Sequence, residues 1–349
     1  MKRHKQLWDK VSSLENLMEA ARETMCGKRG KRGKRAGAAF FQHWETEVVR
    51  LERELTDGSY KPGAYHYFKI HEPKMRVVAA APFRDRVVHH ALVRVLEPIF
   101  EPRFIEDSYA CRPGRGTHAG MRRALHFAKR HPYALKCDIR RYFPSIDQGL
   151  MRAKIARVVG DVRVLGLVDV ILESHVERVE REWPAGGDLF DVVEHRKGLP
   201  IGNLTSQFFA NIYLDAFDHF VKQELRVKGY VRYVDDFLLF ARSRSEARAW
   251  GRACRDFLAA EGLEIHPDKY RLIPTGDGVD FCGYVVHADG RVKVRSSNAR
   301  RFRQRYLRMR KEMKAGLREP AELTAAVRAW AAHAAHAQNW GLRKAVLRV

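Results

Sequence analysis

Acidic residues are the scarce charge in this sequence: 42 Asp and Glu stand against 65 Lys and Arg, a formal net charge of +23 over 349 residues. Such a field favours a polyanion, with nucleic acid the obvious candidate. Cysteine is scarce as well. The five, at positions 26, 111, 137, 254 and 282, are odd in number, and no pair has zinc-ligand spacing. They read as reduced thiols of a cytoplasmic protein. Apolar runs are short, none approaching the roughly 20 residues of a spanning helix. The N-terminus is basic and polar and shows no signal peptide, so no membrane partner is expected. What is present is an ordinary apolar share of 45%, enough for a large core and two or three subdomains.

The most informative segment is Tyr233-Val234-Asp235-Asp236. Tyr230-Val231-Arg232 precedes it and Phe237-Leu238-Leu239-Phe240-Ala241 follows. These β-formers predict two strands, with the Asp pair at the tight turn of a hairpin. Paired hard carboxylates at a sheet rim suit Mg²⁺, which takes oxygen ligands and keeps positions open for phosphate. A second apolar stretch, Ala134 to Cys137, runs straight into Asp138. Asp138, Asp235 and Asp236 together could hold two divalent ions about 4 Å apart, the arrangement for in-line attack of a hydroxyl on a phosphate. One ion would lower the pKa of the attacking 3′-hydroxyl, and the other would neutralise the triphosphate and its leaving group.

An ordered series of motifs surrounds these acids. It runs Lys74-Met75-Arg76, Phe83-Arg84-Asp85-Arg86, Ser108 to His118 with Arg112-Pro113-Gly114-Arg115-Gly116, the Asp138 strand, Gly198 to Gln207, the Asp235-Asp236 turn, Pro267-Asp268-Lys269 and Phe281-Cys282-Gly283-Tyr284. In order and spacing the chain resembles bacterial reverse transcriptases over roughly residues 60–345. The resemblance implies an α+β right-hand polymerase fold with fingers, an antiparallel palm sheet and a helical thumb. The expected divisions are an N-terminal helical and basic extension over 1–59, fingers and the start of the palm over 60–133, palm over 134–294, and a basic thumb over 295–349.

The resemblance also assigns roles. Asp138, Asp235 and Asp236 would be catalytic and hold two Mg²⁺ ions, with Ile139 joining the metal ligands and Mn²⁺ able to substitute. Arg76, helped by Lys69 or Lys74, would contact the incoming dNTP, because a guanidinium fork matches phosphate oxygens. Lys269, Ile201 and Gly202 would also serve the dNTP, and Phe143 would sit beneath its sugar and exclude a 2′-hydroxyl. Arg112, Arg115, Tyr233, Arg300, Arg301, Arg305 and Arg308 would contact template and primer in the cDNA/RNA duplex.

Ile201 narrows the family. Most reverse transcriptases have Gln before the Gly of this loop. The hydrophobic residue followed by Gly202 and, further on, Ser206-Gln207 resembles the reverse transcriptases of diversity-generating retroelements. Those enzymes copy a template-repeat RNA, misincorporate opposite adenines, and work with a small basic helical accessory variability determinant protein. Ile cannot give the nucleotide a hydrogen bond, and a bond of that kind is worth roughly 1.5–3 kcal/mol, about 10- to 150-fold in selectivity. A retron, CRISPR-associated, abortive-infection or group II intron-like enzyme of ordinary fidelity is the alternative, and a catalytically idle RNA-binding subunit stands further off.

Local patterns predict the rest. Helices are expected over 5–25, 38–56, 84–100, 149–176, from 206, and over 245–260. A Gly-punctuated basic loop over 27–35 reads as a phosphate clamp. A hairpin is expected from 67–70 and 76–80, and an exposed insertion over 177–197. Strands over 270–274, 279–287 and 291–295 would close the palm, turning at Asp289-Gly290. A thumb helix over 300–318 would turn Phe302, Tyr306 and Met309 to the palm, with 321–349 completing the thumb.

Overall fold

The run Phe237–Ala241 has no exposed member, the mark of a strand covered on both faces. It forms the middle of the molecule's main sheet. The computed structural model describes residues 3–25, 40, 42–71, 75–182, 193–338 and 340–347. Lys74, the 27–35 loop and the tip of the expected insertion lie outside these residues. The described strands are β1 (His66–Ile70), β2 (Arg76–Ala80), β3 (Tyr133–Asp138), β4 (Arg178–Glu182), β5 (Val193–Lys197) and β6 (Gly229–Tyr233). They continue with β7 (Asp236–Ala241), β8 (Arg271–Pro274), β9 (Val279–Phe281), β10 (Tyr284–Val286) and β11 (Val292–Val294). The chain divides into two compact units of interleaved segments.

The first unit takes residues 1–105, 140–218 and 259–263. Its helices Trp8–Ser12, Leu14–Met25, Trp44–Asp57 and Phe83–Phe100 bury Val11, Leu17, Val48, Leu51, Val87, Leu92 and Leu96 completely. The single helix expected over 5–25 is two, because Ser13 turns extended at ψ 142° and its hydroxyl accepts from the Asn16 amide. The helix expected over 149–176 also divides, into Gln148–Ala156 and Val162–Glu173. Asp161 causes the break. Its carboxylate caps the Arg163 and Val164 amides and also accepts from Leu7 and Trp8 at 2.7 and 3.0 Å. The described parts of the 177–197 insertion are a hairpin, β4 against β5.

The second unit takes residues 106–139, 219–258 and 264–349. Its main sheet has the antiparallel order β6-β7-β3-β8. Helix Thr117–Ala128 covers it with Met121, Ala124 and Phe127, which join one core with Val231, Leu238 and Phe240. The strand expected over 279–287 is two strands folded back at Cys282-Gly283, where φ is +50° and +86°. With β11 they make a separate three-stranded sheet rather than an extension of the first. Asp289-Gly290 turns β10 into β11 as expected, with Gly290 at φ +93°.

The helix that follows runs Ser296–Lys314 and stops short of Arg318, which lies past Gly316 (φ +71°) and pairs with Glu312 and Glu322. Helices Pro320–Ala334 and Trp340–Leu347 complete the unit. Phe302 stacks on Trp330 of the neighbouring helix, with ring centres 4.7 Å apart and planes 2° from parallel. Among the described residues no helix is long and apolar enough to cross a membrane.

Candidate active site

Three carboxylates are placed at one end of the main sheet. Asp138 is the last residue of β3 and pairs across the ladder with Asp236, the first residue of β7. Tyr233 pairs with Asp236, so the hairpin turn is Val234-Asp235 and the second Asp is a strand residue rather than a turn residue. Val234 sits at φ +57°. That left-handed conformation costs a non-glycine residue roughly 1–2 kcal/mol, and more crowding follows from a branched Cβ. The Ile139 amide donates to the Asp235 carbonyl at 3.0 Å, and the His266 amide to that of Asp138 at 2.8 Å. Ile139 itself is buried and bridges to Ile265.

Two lysines neutralise this corner. Lys136 Nζ lies 3.3 Å from Asp236 Oδ2 and donates to the Asp280 carbonyl at 2.6 Å. Lys269 Nζ lies 2.5 Å from Asp138 Oδ1, so in this structure it is the ion-pair partner of a catalytic candidate. Burial pushes the Asp236 carboxyl up to about 7; Lys136 opposes this, while Asp138 and Asp235 add to it.

Among the described residues no group of three His, Cys, Asp or Glu is drawn together closely enough to hold a metal ion. The donors nevertheless fit a hard divalent cation. They are carboxylate oxygens, and Asp236 Oδ1 is buried with no hydrogen-bond partner.

A second constellation belongs to the first unit. The loop Ile201–Asn203 lies along the open edge of β2. The Ala79 amide donates to the Ile201 carbonyl at 3.0 Å, and Asn203 Nδ2 donates to the Ala79 carbonyl at 3.0 Å. Asn203 Oδ1 accepts from the Ala81 amide at 3.4 Å, which makes this buried amide a substitute for a third strand. Gly202 has φ +117°, and a Cβ there would lie 2.7 Å from Val78 Cγ1. Only glycine suits both the backbone and the contact.

In the β1–β2 ladder Arg76 pairs with Ile70, whereas Lys69 pairs with Val77. Their side chains therefore leave opposite faces of the ribbon, and both are exposed. Phe143 is half-buried in the short helix Tyr142–Ser145, and its carbonyl accepts from the Leu199 amide at 2.9 Å.

The expected template and primer contacts all lie in the second unit. Arg112 donates to the Ser108 carbonyl at 2.8 Å, and Arg115 lies over the Tyr109 ring. The chain turns sharply on either side of Arg115, at Gly114 and Gly116, both at positive φ, and exposed Cys111 before them is at φ +52°. Tyr233 is half-buried, and burial raises its phenol. Arg300, Arg301, Arg305 and Arg308 are all exposed on one helix.

Sequence reasoning missed Lys136 and Asn203. Lys136 carried one signal, two residues before Asp138 in an otherwise apolar strand. Asn203 carried none beyond its place in the loop, because its partners lie over 120 residues away.

The profile described as reverse transcriptase (RNA-dependent DNA polymerase) matches residues 61–286, more than half of the chain. Protein YkfC of Escherichia coli K12 is 25% identical over 318 residues, covering 78% of this chain and 81% of that protein. The group II intron-encoded protein LtrA of Lactococcus lactis is 27% identical over 185 residues, covering 51% of this chain and 29% of that protein. The solved apo telomerase of Candida tropicalis is similar at a TM-score of 0.49 and 13% identity, over 68% of this chain and 49% of that one. With the profile spanning both the Asp138 strand and the Asp235-Asp236 hairpin, the chain belongs to the reverse transcriptase family and has its right-hand polymerase fold.

Proposed function

We propose that the chain is an error-prone reverse transcriptase of a diversity-generating retroelement, copying a template-repeat RNA into adenine-mutated cDNA. The observation that carries nucleotidyl transfer is the pairing of Asp138 with Asp236 beside the Asp235 turn. Asp138, Asp235 and Asp236, with Ile139 adjoining, would hold the divalent ions, Mg²⁺ or Mn²⁺, that activate the 3′-hydroxyl and neutralise the triphosphate. Lys136 and Lys269 keep the carboxylates compensated and in place. Arg76 is the side chain for phosphate, Phe143 for sugar selection, and the Ile201-Gly202 loop for the base pair. The exposed arginines between 300 and 308 would follow the duplex backbone without reading sequence. Cytoplasmic location and a small basic accessory protein complete the proposal.

Ile201 carries the mutagenic part. Its backbone carbonyl anchors β2, but its side chain offers no hydrogen bond to a nucleotide. A second reading, a group II intron-like enzyme of ordinary fidelity, is favoured by the similarity to LtrA. The test is cDNA synthesis by the purified protein on an RNA template with Mg²⁺ and all four dNTPs, every product sequenced. Errors concentrated at template adenines, and fewer in Ile201→Gln, support the first reading. Uniformly accurate products overturn it in favour of the second.

A further inference from the structure

The Arg232 side chain has no solvent exposure, yet it carries a charge. A buried guanidinium is costly unless its N–H groups are used. One use is direct: Nη1 donates to the Val234 carbonyl at 3.0 Å. The Arg232 backbone is held on the side away from β7. Its amide donates to the Asp107 carbonyl, and its carbonyl accepts from the Tyr109 amide, each at 2.9 Å. The segment that does this is itself anchored, since the buried Asp107 carboxylate takes Arg123 Nε at 2.6 Å and Lys222 Nζ at 3.0 Å.

The catalytic turn is thereby pinned at both peptides flanking Asp235. The Ile139 amide holds the one after it, through the Asp235 carbonyl. Arg232 holds the one before it, through the Val234 carbonyl. Val234, at φ +57°, is a branched residue in a conformation it avoids when unrestrained. A bond made to its carbonyl in this conformation stabilises the turn.

We propose that Arg232 is a positioning residue whose buried guanidinium fixes the Val234–Asp235 peptide and so sets the direction of the Asp235 carboxylate. The proposal rests on the polymerase reading of Asp235, and two measurements on the full chain keep them apart. RNA-templated synthesis is followed at saturating Mn²⁺, and Mn²⁺ binding is titrated separately by electron paramagnetic resonance without substrates.

For folded Arg232→Met we expect kcat lower by about 10- to 100-fold with the KM for dNTP within about threefold, the pattern of a lost transition-state contact. Half-saturating Mn²⁺ should rise by about fivefold or more as one carboxylate loses its aim. Adding Val234→Gly to the same chain should recover about fivefold or more of the lost kcat, because glycine takes the left-handed conformation unaided. A folded Arg232→Met with unchanged kcat and Mn²⁺ titration overturns the proposal, as does a loss that Val234→Gly does not recover. If Arg232→Met does not fold, Arg232→Lys carries the same readings. Where wild-type protein makes no cDNA without its RNA or accessory partner, the Mn²⁺ titration alone decides the role of Arg232, and an unchanged titration in folded Arg232→Met overturns it.

Discussion

Two hairpins of similar length do opposite jobs in this molecule. β6–β7 is buried along nearly its whole length, and its turn is held by Arg232 and Ile139. β1 is exposed at every residue, and the β1–β2 ribbon is braced along β2 by the Ile201–Asn203 loop. Burial allows the first to hold carboxylates within a fixed frame, where a displaced oxygen would cost rate. Exposure leaves the second free to present Arg76 on one face and Lys69 on the other. The lesson is that the same local element becomes a rigid bed or an accessible arm according to which of its faces the core takes.

Breaking the rigid bed should have the largest effect. Asp235→Asn or Asp236→Asn should lower RNA-templated synthesis by about 1,000-fold or more, since several kcal/mol of charge stabilisation are lost. Filter binding should find RNA affinity retained, because the proposed phosphate contacts are the arginines and not these acids. Synthesis that survives either change would sink the assignment of these acids.

Releasing the arm from its brace comes next. Asn203→Leu leaves the Ala79 carbonyl and the Ala81 amide without that partner. Each buried loss costs about 1–3 kcal/mol. A fall in kcat/KM for dNTP of about tenfold or more is expected in a steady-state assay. Ile201→Gln should change less: total synthesis within about threefold, with misincorporation at adenines lower by about tenfold in sequenced products.

The pH dependence sharpens the contrast from the other side. Folding favours the protonated Asp236, whose pKa rises from 3.8 to about 7. Its contribution to stability is therefore complete below about pH 4 and lost as pH rises through about 7. Thermal unfolding of metal-free Asp236→Asn should gain on wild type by a few degrees across that window, and the gap should close at the acid end. Added Mn²⁺ should bind more tightly over the same rise, because the ligand must lose its proton. The smallest expected effect is Arg305→Ala on the exposed helix. It should weaken duplex binding for all sequences alike and reduce the slope of log affinity against log salt by about one.

What the sequence revealed about this contrast follows from the reach of each interaction. The gathering of Asp138, Asp235 and Asp236 at one sheet end was legible because apolar strands on either side announce a sheet edge. The register was not, since Asp236 opens β7 and does not sit in the turn. The Gly202 loop was legible as a loop, but its union with β2 was not, since Asn203 finds Ala79 and Ala81 only in the folded chain. Lys136 sits in a strand pattern that says nothing of the carboxylate across the ladder. The break at Asp161 had a local signal in Gly160-Asp161, which apolar periodicity on both sides concealed. Cys282-Gly283 likewise lay inside a run that read as one strand, and only the left-handed pair divides it. The N-terminal basic loop lies outside the described residues, so the phosphate clamp stays an expectation from composition.

The four described cysteines differ in reach as the two hairpins do. Cys137 and Cys254 are buried, and burial holds both thiols well above their ordinary range, Cys254 at about 12. Burial also raises the thiols of half-covered Cys282 and of Cys111, but of the four only Cys111, beside Arg112, is exposed. Among these four, a thiol-directed dye should therefore couple first at Cys111, by access. That gives a reporter within a few residues of the arginine turn, with the thiol beside Asp138 left unmodified.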